Sequence, residues 1–425
     1  MKKLNTDYKE IVSKGAAALA IRISGFIAGY LFIYLTVKLF GAETQGRLAL
    51  SFSAMILGSL LCRLGVDVHF VKIFAISKNF EDARGLFFKV TPLFFAISGG
   101  LGLLLFLLAN VISTAVFNDP GLAPFLKITA PCIVLFTFVL INAAVFRGLR
   151  RNNLFAFLFN GGRFIFALLF LLLLNLVFSE NALNPVIAHT AAIFVLLVIS
   201  GFFIYKLLFP RTRASNYRVK PFLKSSLPML LSASMIVLLG WSDTIILGIF
   251  RDSATVGTYS VVLKIAAVVS FSMIAIDSIL APKLSASYHD NNMPLFKKLV
   301  LFSTKINGVV SLLIVCGLIL LKDFILSLFG PEFLVASTAL VILCLGQLIN
   351  AIFGPVGSMF QMTGHQRIWQ NILIVTVIIN LTLNIMLAKK YGINGVAVAT
   401  AFSMVFSKLV GVYYINKFIW QPLPK

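Results

Sequence analysis

The chain has 425 residues, 60% hydrophobic and 12% charged, with a mean hydropathy of +1.00. That balance excludes a water-soluble protein: apolar runs of about 18 residues or more recur from end to end, each long enough to cross roughly 30 Å of hydrocarbon as a helix, and their continuity excludes an alternating outer-membrane β-barrel. A formal charge of +22 would suit nucleic acid, but the Lys and Arg cluster in short connections between the runs, which is the pattern of cytoplasmic loops and excludes a nucleic-acid partner.

In chain order, MKKLNTDYKEIVSK (1–14) reads as a cytoplasmic amphipathic lead-in rather than a cleaved signal, because the apolar run after it is long enough to be retained. Six spans follow over 15–40, 47–66, 87–110, 125–146, 154–178 and 186–208, forming a first lobe over 15–208. A basic cytoplasmic linker occupies 209–226, and six more spans, 227–250, 257–282, 299–321, 337–359, 370–388 and 395–419, form a second lobe over 227–425. NDPG, ENALNP, FGPE and YGING mark turns between spans. Most Lys and Arg fall on the side of the N-terminus, which places both termini in the cytoplasm, and Trp369 and Trp420 fall near the same interface. The expected fold is therefore an all-α polytopic membrane protein of about twelve transmembrane helices.

The two lobes resemble each other. LNPVIAHTAAIFVLLVISGFF (183–203) lies over INGVAVATAFSMVFSKLVGVY (393–413) at an offset of 210, which superimposes Thr190 on Thr400. Six helices per repeat give both lobes one orientation, with the pseudo-twofold along the membrane normal and a central cavity between them.

No phosphate loop, HExxH or nucleophile elbow is present, so no catalytic residue, cofactor or metal is assigned. Cys62, Cys132, Cys316 and Cys344 lie far apart in apolar runs, which suits buried thiols and offers neither a disulfide framework nor a zinc site. The chemistry lies in ionisable residues inside the spans, each costly there and a marker of a pathway or a pair. Arg22, Arg163, Lys264, Lys305 and Lys408 stand against Asp67, Asp243 and Asp277, a cationic surplus that suits a phosphate or another anion. Residues equidistant from a tight turn share a depth, and this construction pairs Asp243 with Lys264, Arg22 with Asp67, and Asp277 with Lys305. Each pair has two readings, a structural ion pair or part of a transport pathway. An offset of 211 sets Phe32 opposite Asp243, so only the second lobe carries that acid.

KLFGAETQGRLALSFSAMILGSLLCRLGVD and SDTIILGIFRDSATVGTYSVVLKIAAVVSFS resemble the polysaccharide flippases of the multidrug, oligosaccharidyl-lipid and polysaccharide exporter superfamily. The resemblance implies translocation of an undecaprenyl-pyrophosphate-linked O-antigen or capsule glycan across a bacterial inner membrane, by alternating access coupled to H⁺ or Na⁺. It implies a cationic substrate cavity at Arg22, Lys264 and Lys408; joined to the buried-acid reading, Asp243 is expected to couple the ion by taking up a proton when substrate draws Lys264 away. Supporting ion pairs fall at Asp67, Asp277 and Lys305. Polysaccharide polymerase and assembly proteins are the partners it suggests beside membrane lipids. Two other readings are a multidrug or cation antiporter of the same superfamily and a membrane-embedded polymerase or glycosyltransferase.

Overall fold

The computed structural model describes residues 2–76, 80–177, 181–208 and 217–420. Among them there is no strand, and the helices run α1 (Lys2–Arg63), α2 (Val66–Ile76), α3 (Phe80–Val111), α4 (Leu122–Gly148), α5 (Asn152–Ala156), α6 (Gly162–Val177) and α7 (Asn184–Leu208). After residues 209–216, which lie outside the described ones, come α8 (Val219–Phe250), α9 (Ser253–Ala267), α10 (Ser270–His289), α11 (Met293–Leu320), α12 (Lys322–Ser327), α13 (Ser337–Ile352), α14 (Val356–Met362) and α15 (Gln366–Ile415).

Eight helices among the described residues are long and apolar enough to span a membrane, and the bent pair formed by α5 and α6 makes a ninth. Two of the eight are far longer than one span needs: a 44-residue stretch in α1 and a 55-residue one through α15. Both break at a glycine. Gly41 has φ 81° and ψ 173°, and Gly392 has φ 55° and ψ −130°. A Cβ would disfavour either conformation, so only glycine lets the chain reverse there without a loop. These breaks divide spans one from two, in the gap between 40 and 47, and eleven from twelve, where YGING marks a turn in the sequence. With α9 and α10, separated only at Val268 and Val269, the helices match the twelve expected from hydropathy.

The chain divides into two compact units, Met1–Ser234 and Met235–Lys425, with the boundary inside α8. α8 begins at Val219, within the stretch 209–226 read from the sequence as a linker. In the first unit α4 is the axis, packed against α1, α2, α3 and α7. Its core is aromatic, with Phe70, Phe87, Phe94, Phe136 and Phe146 buried together. α2 follows Arg63 through Leu64 and Gly65, both at positive φ. A Cβ on Gly65 would lie 2.3 Å from the Ser226 carbonyl oxygen, so glycine is also what lets the start of α8 pack onto this turn.

In the second unit α15 packs against α13 and α14, and α10 packs against α11 and α14. The tenth span is broken between α13 and α14, where Gly354 has φ 74°. Leu280, Phe296, Phe360 and Ile415 form its apolar core.

Candidate functional site

Asp243 is 2% exposed, in the interior of the second unit. An unneutralised carboxylate is among the most costly groups to bury, so its surroundings decide what it does. Tyr259 Oη of α9 donates to Oδ2 at 3.0 Å, and Asn384 Nδ2 of α15 donates to Oδ1 at 2.7 Å. Thr400 Oγ1, also of α15, makes a very short bond to Oδ2. A second layer supports these donors. Asn384 Nδ2 also donates to Asn380 Oδ1 at 3.0 Å, and Ser242 Oγ donates to that same oxygen at 2.9 Å. Tyr259, Asn380, Asn384, Thr400 and Ser242 are themselves buried.

The break at Gly392 builds this cage. Asn380 and Asn384 are one helical turn apart and share a face. Asn384 precedes Gly392 by as many residues as Thr400 follows it, so the reversal sets the two side chains at one depth. Asn384 Oδ1 is buried with no hydrogen-bond partner. The buried carboxylate is thus held by three neutral donors, two hydroxyls and one amide nitrogen, with the Asn384 oxygen beside it left as an orphaned acceptor.

The sequence places Lys264 opposite Asp243. In the structure α9 meets the carboxylate through Tyr259, and Lys264 is half-buried five residues further along, about 7.5 Å of helix. The long phenol reaches across from a shallower level, which depth arithmetic on backbone positions does not capture.

The acids of the other two pairs have partners of their own. Asp67 is bound by Arg63, one turn away, in a very short ion pair. Arg22 instead feels the like charge of Arg147, and its Nε is buried without a partner. Asp277 accepts from Ser358 Oγ at 3.1 Å and interacts with the charge of Lys408, while Lys305 is exposed on α11. Equal depth did not fix the direction in which each side chain leaves its helix. Lys408 is buried and donates from Nζ to the Gly354 carbonyl at 3.1 Å, capping the break in the tenth span. Arg163, without an acid at its depth in the sequence, lies over the rings of Phe164 and Phe136 at 4.5 and 5.4 Å.

The first unit has no copy of the cage at the matching positions. Phe32 is fully buried against Phe164, ring centroids 6.1 Å apart. Thr190 donates to the Val186 carbonyl and accepts from Cys132. The partners of Asp243 were within reach of the sequence: the hairpin construction, applied about Gly392 instead of the turn after α8, brings Asn384 and Thr400 together.

Among solved structures, the chain is similar to the lipid II flippase MurJ in an inward closed conformation, with TM-score 0.77, 18% identity, and 96% of this chain and 88% of that one covered. It is also similar to an inward-facing multidrug resistance MATE family transporter of the MOP superfamily, with TM-score 0.72, 15% identity and coverage of 94% and 97%. These likenesses establish the fold. Among curated relatives, the probable low-salt glycan biosynthesis flippase Agl15 of Haloferax volcanii is 26% identical over 180 residues, 42% of this chain and 38% of that protein. The probable flippase AglR of the same organism is 27% identical over 187 residues, 43% and 39% of the two chains. The matches thus span about four-tenths of these two relatives' lengths. The MatE family model matches residues 228–386. The polysaccharide biosynthesis protein model matches residues 11–288, well over half of the chain, so the chain belongs to that family.

Proposed function

We propose that this protein is a non-enzymatic flippase that moves an undecaprenyl-pyrophosphate-linked oligosaccharide across the bacterial inner membrane by alternating access, with both termini cytoplasmic. The observation that carries the mechanism is the Asp243 cage with its orphaned Asn384 oxygen. Family membership and the named flippases among its relatives support the substrate class.

H⁺ or Na⁺ is the coupling ion in this reading. Entering the cage, it neutralises the buried carboxylate and gives Asn384 Oδ1 a partner. The donors come from α8, α9 and both arms of α15, so occupation changes the balance of bonds among four helical segments at once. A ligand shifts a conformational equilibrium only through different affinities for its two states. The cage supplies that difference if its donors stay in contact in one state and part in the other. The pyrophosphate is received by cations on the substrate path, for which Arg22 and Lys264 are the proposed residues, with Lys408 a third.

The test is complementation of a strain whose own flippase is deleted. The wild-type chain should restore export and clear lipid-linked oligosaccharide from the cytoplasmic leaflet, while Asp243→Asn and Lys264→Ala should let it accumulate. Full clearance by both variants would sink this mechanism. The MatE match over 228–386 favours a second reading, a cation-coupled drug antiporter. It predicts drug resistance in an expressing strain with no effect on glycan export.

A further inference from the structure

One end of the first unit carries a cavity that the transport mechanism does not use. Its volume is about 300 Å³, and it opens between the end of α1, α2, the end of α4 and the start of the fifth span. Arg63 and Gly148 are the last residues of two candidate spans, so the cavity sits where hydrocarbon gives way to water. Its lining divides by chemistry in the same way. Val68, Leu140 and Phe159 form an apolar wall, with Val68 44% and Phe159 46% exposed. Arg63, Lys72 and Arg147 form a cationic rim against the single acid Asp67.

The three cations are not equivalent. Arg63 is buried and committed, with Nε donating to the Ser59 carbonyl at 3.1 Å and Nη1 bound to Asp67. Lys72 and Arg147 are exposed and make no ion pair among the described residues. Arg147 is nonetheless held in place, its guanidinium 5.1 Å from the centre of the Phe155 ring. Beside the cavity α4 packs closely on α2: a Cβ on Gly148 would lie 2.8 Å from Phe74 Cβ and 2.9 Å from the Val71 carbonyl oxygen. Two uncommitted cations over an apolar wall, at the level of the headgroups, match an anionic phosphate ester on a hydrocarbon chain. A guanidinium presents paired donors to phosphate oxygens, and an ammonium adds a point charge.

We infer that this cavity is a binding site for a phosphate-bearing anionic lipid, with Lys72 and Arg147 on the phosphate and the Val68, Leu140 and Phe159 wall along the start of the chain. The bilayer's own anionic phospholipid and a polyprenyl phosphate carrier share this chemistry. Binding is read directly, so the inference stands or falls apart from the transport reading.

Native mass spectrometry of the full-length protein in detergent tests it, with phosphatidylglycerol, phosphatidylcholine, undecaprenyl phosphate and inorganic phosphate as separate probes. Phosphatidylglycerol or undecaprenyl phosphate should be retained over phosphatidylcholine. The double variant Lys72→Gln, Arg147→Gln should weaken retention about tenfold or more, the scale of a lost charge-assisted bond. Lys206→Ala, which removes an exposed cation at the end of α7, should leave retention unchanged. If the double variant is not monodisperse, Phe159→Asp serves instead, since it spoils the wall and leaves both cations. Retention of undecaprenyl phosphate alone would identify the carrier as the ligand, and equal retention of both anionic lipids would identify a general site. Equal retention of phosphatidylcholine, unchanged binding by the variants, or displacement by inorganic phosphate at matched concentration would overturn the assignment.

Discussion

Asn384 and Thr400 stand at equal sequence distance on either side of Gly392, and both donate to the Asp243 carboxylate. A backbone reversal that requires glycine thus fixes the chemistry of a buried acid. The site depends on that break as much as on the carboxylate.

Substituting Gly392 by Ala tests the dependence on the break. At φ 55° and ψ −130° an L side chain is strained by about 1–3 kcal/mol. The added Cβ would also lie 3.3 Å from Arg251 Nε. Thermal unfolding should show a loss of that size, together with loss of transport. Gly99→Ala is the comparison: it lies inside α3 with nothing within 4 Å of the added Cβ, and should be neutral or stabilise by about 0.5–1 kcal/mol.

The cage donors should rank by what their loss leaves behind. Asn384→Ala strips one donor from a buried carboxylate and should cost about 1–3 kcal/mol of stability. Asp243→Asn removes the charge and keeps a group of the same shape, so the fold should hold while transport fails. Chemical denaturation beside a transport assay separates the two. A larger stability loss in Asp243→Asn than in Asn384→Ala would show that the acid is a structural anchor.

Outside the spans, His69 of α2 links to the start of α8. Its Nδ1 lies 2.8 Å from Ser226 Oγ, and its ring stacks on Phe222 at 4.7 Å. Burial holds its pKa below the ordinary 6.5, reinforced by the charge of Lys72, while a backbone bond at Phe222 works against the shift. A folded pKa below the unfolded one means that the neutral ring is the stabilising form. Its contribution is present above pH 6.5 and is lost as pH falls from there through the folded value. Between pH 7.5 and 5.5 the wild type should lose more stability than His69→Gln. Parallel losses in the two proteins would remove His69 from the account.

At the other end of the first unit, Arg47 forms a two-point contact with Asp119, from Nε and Nη2, both at 2.8 Å. Asp119 also accepts from the Gly121 amide at 2.9 Å and so joins the break at Gly41 to the start of α4. Arg47→Lys keeps the charge and loses the fork, so it should cost about 1 kcal/mol, with Arg47→Ala costing somewhat more. Equal stability of wild type and Arg47→Lys would show that the geometry contributes nothing.

The spans and their reversals were legible because hydropathy and glycine punctuation act locally. Gly392 falls within the turn marked by YGING, and Gly41 falls in the gap between the first two spans. Asp243 was legible as a buried acid for the same reason. Asn384 and Thr400 were within reach through the reversal at Gly392, but Tyr259 was not, because depth along a helix leaves direction around it open. Tyr259 reaches the carboxylate from a shallower level than Lys264, and Lys305 leaves its helix outward at the depth of Asp277. Asp67 has Arg63 four residues before it as a nearer partner than any on the neighbouring helix, which the depth construction did not weigh.

The central claim, that a coupling cation occupies the Asp243 cage, is tested most directly by titrating the purified protein with Na⁺ and, separately, with acid. Trp241, two residues before Asp243 on α8, is the fluorescent reporter. The account predicts a saturable change in emission with one of the two ions, absent from Asp243→Asn and from Trp241→Phe. Identical titrations of wild type and Asp243→Asn would contradict it.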